Sequence, residues 1–362
     1  MGPLDIFLAV VGLSILVIVH ESGHYLAARA FKMKVLRYSI GFGPTLFKYQ
    51  PKGSDTVFQV AAIPFLAYVQ IAGMNPYEEN EPGEEGLFDD ASRFGRIVTI
   101  AAGPFANYLT AAIIALAIGL VGWPPGMFHR LYPDDVRVEI PAIVPIASDI
   151  IEDSAAAEAG VEVGDQIVAV AGTDVANMEE LREQTQAHGG EATVYEVLRD
   201  GERLSLTVTP RVIDGNALIG MQAESPDIDI GPVQLGIGEA AKLAIVVPYK
   251  LSVMQLTAIK NMILQLDSSN LGGPVAIVKG FGAAAQQGVV SFFLMMMMMS
   301  VALGFFNLLP FPALDGGRLL FLFFEVITRR KPNARFEAAV HTIGILILLV
   351  VLALVTVRDI AG

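Results

Sequence analysis

The chain has 362 residues, 53% of them hydrophobic, and carries 24 Lys and Arg against 37 Asp and Glu. A mean hydropathy of +0.55 is too high for an ordinary soluble enzyme, and the net charge of −13 argues against a nucleic-acid partner. The absence of cysteine excludes disulfides and thiolate metal ligands.

The first predicted element is an apolar helix from Ile6 to Ala28, within residues 1–35. It is too long for a cleavable signal peptide and lacks the basic start of one. Only "VHESGHYLAA" (19–28) interrupts it. His20, Glu21 and His24 make an HExxH pattern. Residues four apart share one helix face, so both imidazoles can reach one ion, with Glu21 beside them as the general base. Ionisable groups inside a bilayer are costly and normally face a protein-lined polar cavity. A satisfied polar packing cluster is the competing reading.

Residues 36–75 hold two β-prone runs around a Pro-Lys-Gly-Ser-Asp turn. Residues 76–96 form an acidic loop containing "EENEPGEEG". A charge-free second span, 97–123, carries "GPFANYL" (103–109).

The segment 136–212 reads as a small β-rich module. Ile167, Ala169 and Ala171 alternate with Val168 and Val170, a helix spans 177–190, and Asp200-Gly201 signals a type I′ hairpin. Its run "SAAAEAGVEVGDQIVAVAGTDV" resembles the PDZ domain, which binds an extended peptide or a C-terminus by strand addition. A folded spacer without a ligand is the alternative. Residues 236–270 read as amphipathic surface helices, with Lys242, Lys250 and Lys260 among apolar residues and a break or kink at Pro248.

The third span, within 289–320, ends in "NLLPFPALDGGRLL" (307–320), and the fourth covers 338–357. Met295 to Met299 read as adaptable packing. Lys and Arg cluster between the first and second spans and after the third. That places those loops in the cytoplasm, with both termini and the acidic middle segment outside it.

A catalytic zinc needs a third protein ligand and one open position. His129, His188 and His341 fit poorly by their places in the chain. Asp315 ends the third span and can share the depth of His24. Pro310 and Pro312 break that helix, and irregular backbone at this depth is tolerated only where it lines a cavity. A helix-terminal Asp beside a proline kink is the competing reading.

With HESGHYLAAR, GPFANYL, LGGPVAI (271–277) and NLLPFPALDGG in view, the chain resembles the site-2 protease family of intramembrane zinc metalloproteases. It is most similar to the bacterial RseP-like branch with a single PDZ domain. The resemblance implies one Zn2+ ion on His20, His24 and Asp315, with Glu21 as base and Asn107 and Asn307 as substrate- or transition-state-positioning residues. It makes 38–72 a membrane-reentrant β-hairpin in which Gly41, Phe42 and Gly43 form a GxG element. Together with Pro310 and Pro312, these are the expected substrate-binding residues. Leu66, Ala67 and Gln70 depart from the family's pattern, where small glycines and a Lys are usual.

The expected fold is therefore a polytopic α-helical membrane protein. It has four transmembrane helices, a membrane-associated β-hairpin and an extracytoplasmic PDZ-like α+β domain. The expected activity is hydrolysis within single-span transmembrane substrates after a first extracytoplasmic cut, as in regulated proteolysis of an anti-sigma factor or a signal-peptide remnant. The partners are those substrates, the lipid bilayer and a peptide or C-terminus at the PDZ-like module, in a bacterial inner membrane. A PDZ-based receptor or scaffold with a structural zinc site is the rival. An ion transporter is a weaker one, because the last three spans lack further carboxylates.

Overall fold

The computed structural model describes residues 2–74, 85–124, 145–213, 215–224, 233–265 and 272–361. Residues 76–84 of the acidic loop, His129, the start of the 136–212 module and residues 266–270 lie outside them. The chain divides into two units, one built from its two ends and one from its middle, Arg137–Val233.

The first unit is mainly helical. Helix α1 (Pro3–Ala30) starts at a proline, with the Asp5 carboxylate accepting from the Gly2 N–H at 2.7 Å. Strands β1 (Val35–Tyr49) and β2 (Val57–Ile71) follow. Val35–Ile40 pairs antiparallel with Ala67–Ile71, and Thr45–Tyr49 with Phe58–Ala61, while Arg37–Ile40 also lies beside Val57–Val60. Each strand is thus bent rather than straight. The bend sits at Gly41 and Gly43, whose φ values of 93° and 90° suit glycine, and a Cβ on Gly41 would lie 2.6 Å from the Ala61 carbonyl oxygen. Helix α2 (Arg93–Val121) is capped by Ser92, whose hydroxyl accepts from Gly95 N–H.

Among the described residues, five helices are long and apolar enough to cross a membrane, one more than the four runs read from the sequence. They are α1, α2, α5 (Ile237–Gln265), α7 (Val289–Leu308) and α9 (Ala334–Ala361). The additional one is α5, expected as a broken surface helix. It is one continuous helix through Pro248 and packs on α2, with the Tyr108 hydroxyl 2.8 Å from Ser252 Oγ. Its lysines are spaced widely enough that apolar residues still dominate. Helices α6 (Pro274–Gln286) and α8 (Asp315–Thr328) complete the unit. At the N-terminal end of α2, the buried pair Arg96–Glu325 (2.7 Å), joined by Arg93, ties that helix to α8. Burial alone would push the Glu325 carboxyl up, but the two guanidiniums hold it below the usual carboxylate range.

The second unit is a sheet with strand order β10 (Met221–Glu224), β3 (Ile146–Ile150), β4 (Gln166–Val170), β6 (Thr193–Arg199) and β7 (Glu202–Val208), and β5 (Thr173–Asp174) pairs on β4. A separate pair, β8 (Arg211–Ile213) and β9 (Asn216–Leu218), precedes β10, so the sheet extends past residue 212. Asp200 and Gly201 both have positive φ (52° and 85°), as a type I′ turn requires. Helices α3 (Ala155–Glu158) and α4 (Met178–Ala187) cover a core of Ala156, Ile167, Val170, Leu181, Tyr195 and Val197.

In this unit Asp165 is buried and takes two 2.7 Å hydrogen bonds from Arg199. Burial would raise its pKa, yet Arg199 and the Glu162 backbone N–H hold it below the ordinary value of about 3.9. A lowered folded-state pKa gives stability that is complete above the unfolded value and is lost as pH falls through the folded one. Arg199→Leu is therefore expected to destabilise the unit by about 2–3 kcal/mol at pH 7, because it strands a buried carboxylate. The variant's loss of stability below pH 4 should also be shallower. Peptide-resolved hydrogen exchange of Gln166–Val170 and Thr193–Arg199, corrected for intrinsic rate, checks both.

Candidate metal centre

Helices α1 and α2 touch where two glycines remove side chains from the interface. A Cβ on Gly23 would run into the Ala102 carbonyl, and one on Gly103 into the His24 ring. Thr99, Gly103 and Asn107 are four apart along α2, so they form one stripe opposite the His20–His24 stripe of α1. His24 Nδ1 lies 2.9 Å from the Thr99 carbonyl, which can only accept. That fixes the proton on Nδ1 and leaves Nε2 bare for a metal. His20 Nδ1 lies 3.1 Å from the Asn107 side-chain amide nitrogen, while Asn107 Oδ1, fully buried, has no partner. Turning that amide so that Oδ1 accepts from Nδ1–H gives the His20 ring an acceptor and frees His20 Nε2 as well.

Helix α7 ends at Leu308, and α8 begins with Asp315 itself. A carboxylate on the first residue of a helix is favoured by the N-terminal dipole. The turn between them is tight. A Cβ on Gly316 would lie 2.5 Å from the Leu308 carbonyl oxygen, and Ala313 is held at φ 82°, at a cost of about 1–2 kcal/mol for a residue with a side chain.

The three candidate donors converge. Asp315 Oδ2 is 3.1 Å from His20 Nε2 and 3.2 Å from His24 Nε2, and the two nitrogens are 3.2 Å apart. Two donors bound to one tetrahedral zinc at about 2.0–2.1 Å stand about 3.3 Å apart, so the triangle has the edge length of a zinc site. The side chains are only 8%, 12% and 17% exposed. Asp315 Oδ2 is buried and has no hydrogen-bond donor. Among the described residues, no other group of three His, Asp or Glu donors has this arrangement. The donor set fits zinc, with one tetrahedral position left open.

Glu21 is half-buried next to the triangle, and its carboxylate accepts from the Val69 backbone N–H of β2. Tyr25, Tyr38 and Phe58 hold the hairpin against α1 with ring centroids 5.6–5.8 Å apart, and the Tyr38 hydroxyl donates to the Ile18 carbonyl. Of the other predicted residues, Asn107, expected to position the substrate or transition state, is fully buried with its amide against the His20 ring. Asn307 folds back onto its own helix, donating to the Leu303 carbonyl at 2.9 Å. Phe42 is 55% exposed, edge-on to Tyr68, and Gly41 and Gly43 shape the bend. Pro310 and Pro312 lie in the turn before Asp315. Leu66 is in β2, but its side chain lies outside the described residues. Ala67 and Gln70 pair with Ile40 and Arg37. The Thr99 carbonyl and the role of Gly103 were not foreseen, since spacing by four carries no contrast in a uniformly apolar helix.

Apolar helices that bring two imidazoles and a carboxylate to one point, with a second carboxylate alongside, define a membrane-embedded metallohydrolase scaffold. The model of peptidase family M50 matches residues 8–351. RC0203 of Rickettsia conorii, provisionally named a zinc metalloprotease, is 31% identical over 97% of this chain and 97% of its own. Zinc metalloprotease RasP of Geobacillus kaustophilus is 26% identical over 95% of each. Among solved structures, the PDZ domain of the SdrC-like protein Lmo2051 from Listeria monocytogenes covers 24% of this chain and 93% of its own, at 18% identity and a TM-score of 0.22. The chain belongs to peptidase family M50, the site-2 proteases. It is an integral-membrane zinc metalloprotease.

Proposed function

We propose that the chain hydrolyses peptide bonds inside the transmembrane segments of single-span proteins. It would use one zinc ion on His20 Nε2, His24 Nε2 and Asp315 Oδ2. The observation that carries this is the 3.1–3.2 Å donor triangle with an unshared carboxylate, Glu21, at its side. When bound, zinc supplies Lewis acidity toward the scissile carbonyl and makes water a better nucleophile. Glu21 takes the proton from the attacking water and returns it to the leaving amide nitrogen, so the peptide gains one water in total. Thr99 and Asn107 hold the two imidazoles in the tautomer that presents Nε2. Asn307, at the rim of the same turn, is assigned to the substrate carbonyl.

A helical substrate hides its carbonyls, so it must unwind before attack. The bent hairpin 38–72 offers backbone edges for the unwound strand, with Gly41, Phe42 and Gly43 at its bend and Pro310 and Pro312 on the turn beside Asp315. We assign four full spans and count α5 as a membrane-associated helix packed on α2. It starts at the Gly119 end of α2, and α6, which follows it, packs on the N-terminal half of α1 through Phe281 against Gly12. The Lys and Arg distribution supports a cytoplasmic-side metal site, extracytoplasmic termini and an extracytoplasmic PDZ-like module in a bacterial inner membrane. That module would take a peptide C-terminus left by a first cut.

The test is zinc content of the purified chain. About one zinc per chain is expected for the wild type, and little for His20→Ala, His24→Ala or Asp315→Ala. Full zinc in any of the three would remove that residue from the ligand set.

A further inference from the structure

His341 was set aside above as a third metal ligand, and the structure gives it a different task. We propose that His341 is a positioning residue for Asp315, acting through the backbone of the turn 309–314. This rests on the metal site proposed above.

The turn's N–H groups can be accounted for one by one. Pro310 and Pro312 have none. Leu309 N–H donates to the Phe306 carbonyl at 3.1 Å, Phe311 N–H to the Leu309 carbonyl at 2.7 Å, and Leu314 N–H to the Phe311 carbonyl at 3.2 Å. Ala313 N–H points out of the turn and donates to His341 Nδ1 at 3.0 Å. It is the turn's one N–H satisfied by a side chain of another element, and it sits two residues before Asp315. It also belongs to the residue held at φ 82°.

A second contact on the same face of α9 supports the first. Gly344 is three residues from His341, hence on the same face. A Cβ there would lie 2.6 Å from the carbonyl carbon and oxygen of Pro312. The backbone of α9 therefore abuts the turn one residue before the Ala313 hydrogen bond. From the other side, Phe321 of α8 packs on the His341 ring with centroids 5.8 Å apart and fixes its orientation. The last helix thus clamps the turn that presents the carboxylate. An acceptor at the Nδ1 position is the requirement. Asn can supply one at nearly the same distance from the backbone, and Leu cannot.

The experiment uses the full chain in detergent or nanodiscs, loaded with zinc or with cobalt as a spectroscopic stand-in. It compares wild type, His341→Asn, His341→Leu, Gly344→Ala and Asp315→Ala. Read out are the rate of zinc loss to a chelator, the cobalt absorption spectrum and the thermal midpoint of the metal-free protein. His341→Leu and Gly344→Ala are expected to lose zinc at least about 10-fold faster, with an altered cobalt spectrum, and the metal-free midpoint should fall more for Gly344→Ala, whose methyl meets the Pro312 backbone, than for His341→Leu. His341→Asn should stay within about threefold of wild type. Wild-type zinc retention and cobalt spectrum in His341→Leu would overturn the proposal, as would equal loss in the Asn and Leu variants. If Asp315→Ala keeps its zinc, the metal site itself is wrong and the clamp falls with it. If Asp315→Ala loses zinc while His341→Leu does not, only the clamp falls.

Discussion

Glu21→Gln is expected to keep zinc at the wild-type level and to lose cleavage by about 10³-fold or more. The substitution is nearly isosteric, and Glu21 is not one of the three atoms of the donor triangle. The Val69 N–H that now donates to the carboxylate can donate to the amide oxygen instead, so the hairpin keeps its contact with α1. What disappears is the capacity to accept a proton from water and pass it to a leaving nitrogen. Zinc analysis of the purified variant, alongside cleavage of a reconstituted single-span substrate, separates the two effects. A variant that cleaves at the wild-type rate would remove Glu21 from the chemistry. A variant that loses zinc would make it structural.

Gly103→Ala is expected to be almost as damaging, although Gly103 has no functional group. Its Cβ would fall on the His24 ring, 2.5 Å from Cε1. The ring is boxed in by the hydrogen bond from its Nδ1 to Thr99, so it can yield only by giving up that bond or by pushing α1 away from α2. Either movement displaces Nε2 from the triangle. Zinc affinity should fall about 10- to 100-fold, and cleavage by about 10² even at saturating zinc, because a misplacement near 1 Å is enough. Gly238→Ala is the matched control. It adds the same methyl to a helical glycine whose Cβ would meet nothing within 4 Å, and both zinc and cleavage should be unchanged. Equal behaviour of the two variants would mean that helix packing at Gly103 does not control the site.

The parts of this site that follow a local period were legible in the sequence. His20, Glu21 and His24 are close in the chain, and helical spacing alone brings the two imidazoles together. Asp315 was legible because two prolines and two glycines announce a break where an apolar span ends. The type I′ turn at Asp200-Gly201 needed only two residues to be read. What could not be read depends on partners distant in sequence. Thr99 contributes through its carbonyl, which any residue would carry. Gly103 matters because of a ring 79 positions earlier. The doubled register of the hairpin, in which Arg37–Ile40 lies beside two segments of β2, leaves no alternating pattern to detect. Helix α5 does not stand out as an apolar run because three lysines interrupt it, whereas in the packed helix α2 covers its apolar face. Read from the sequence, His341 is only a candidate ligand. Its bond to a backbone N–H carries no sequence signature.

The donor triangle is assigned to hydrolysis inside a membrane span. The most direct measurement is mass spectrometry of the products formed when the purified, reconstituted chain acts on a single-span substrate. Two fragments are expected whose masses sum to the substrate plus one water, with the cut inside the apolar span. Zinc chelation should abolish both fragments, and added zinc should restore them. A cut confined to the flanking soluble segments, or cleavage that persists after the zinc is removed, would contradict that assignment.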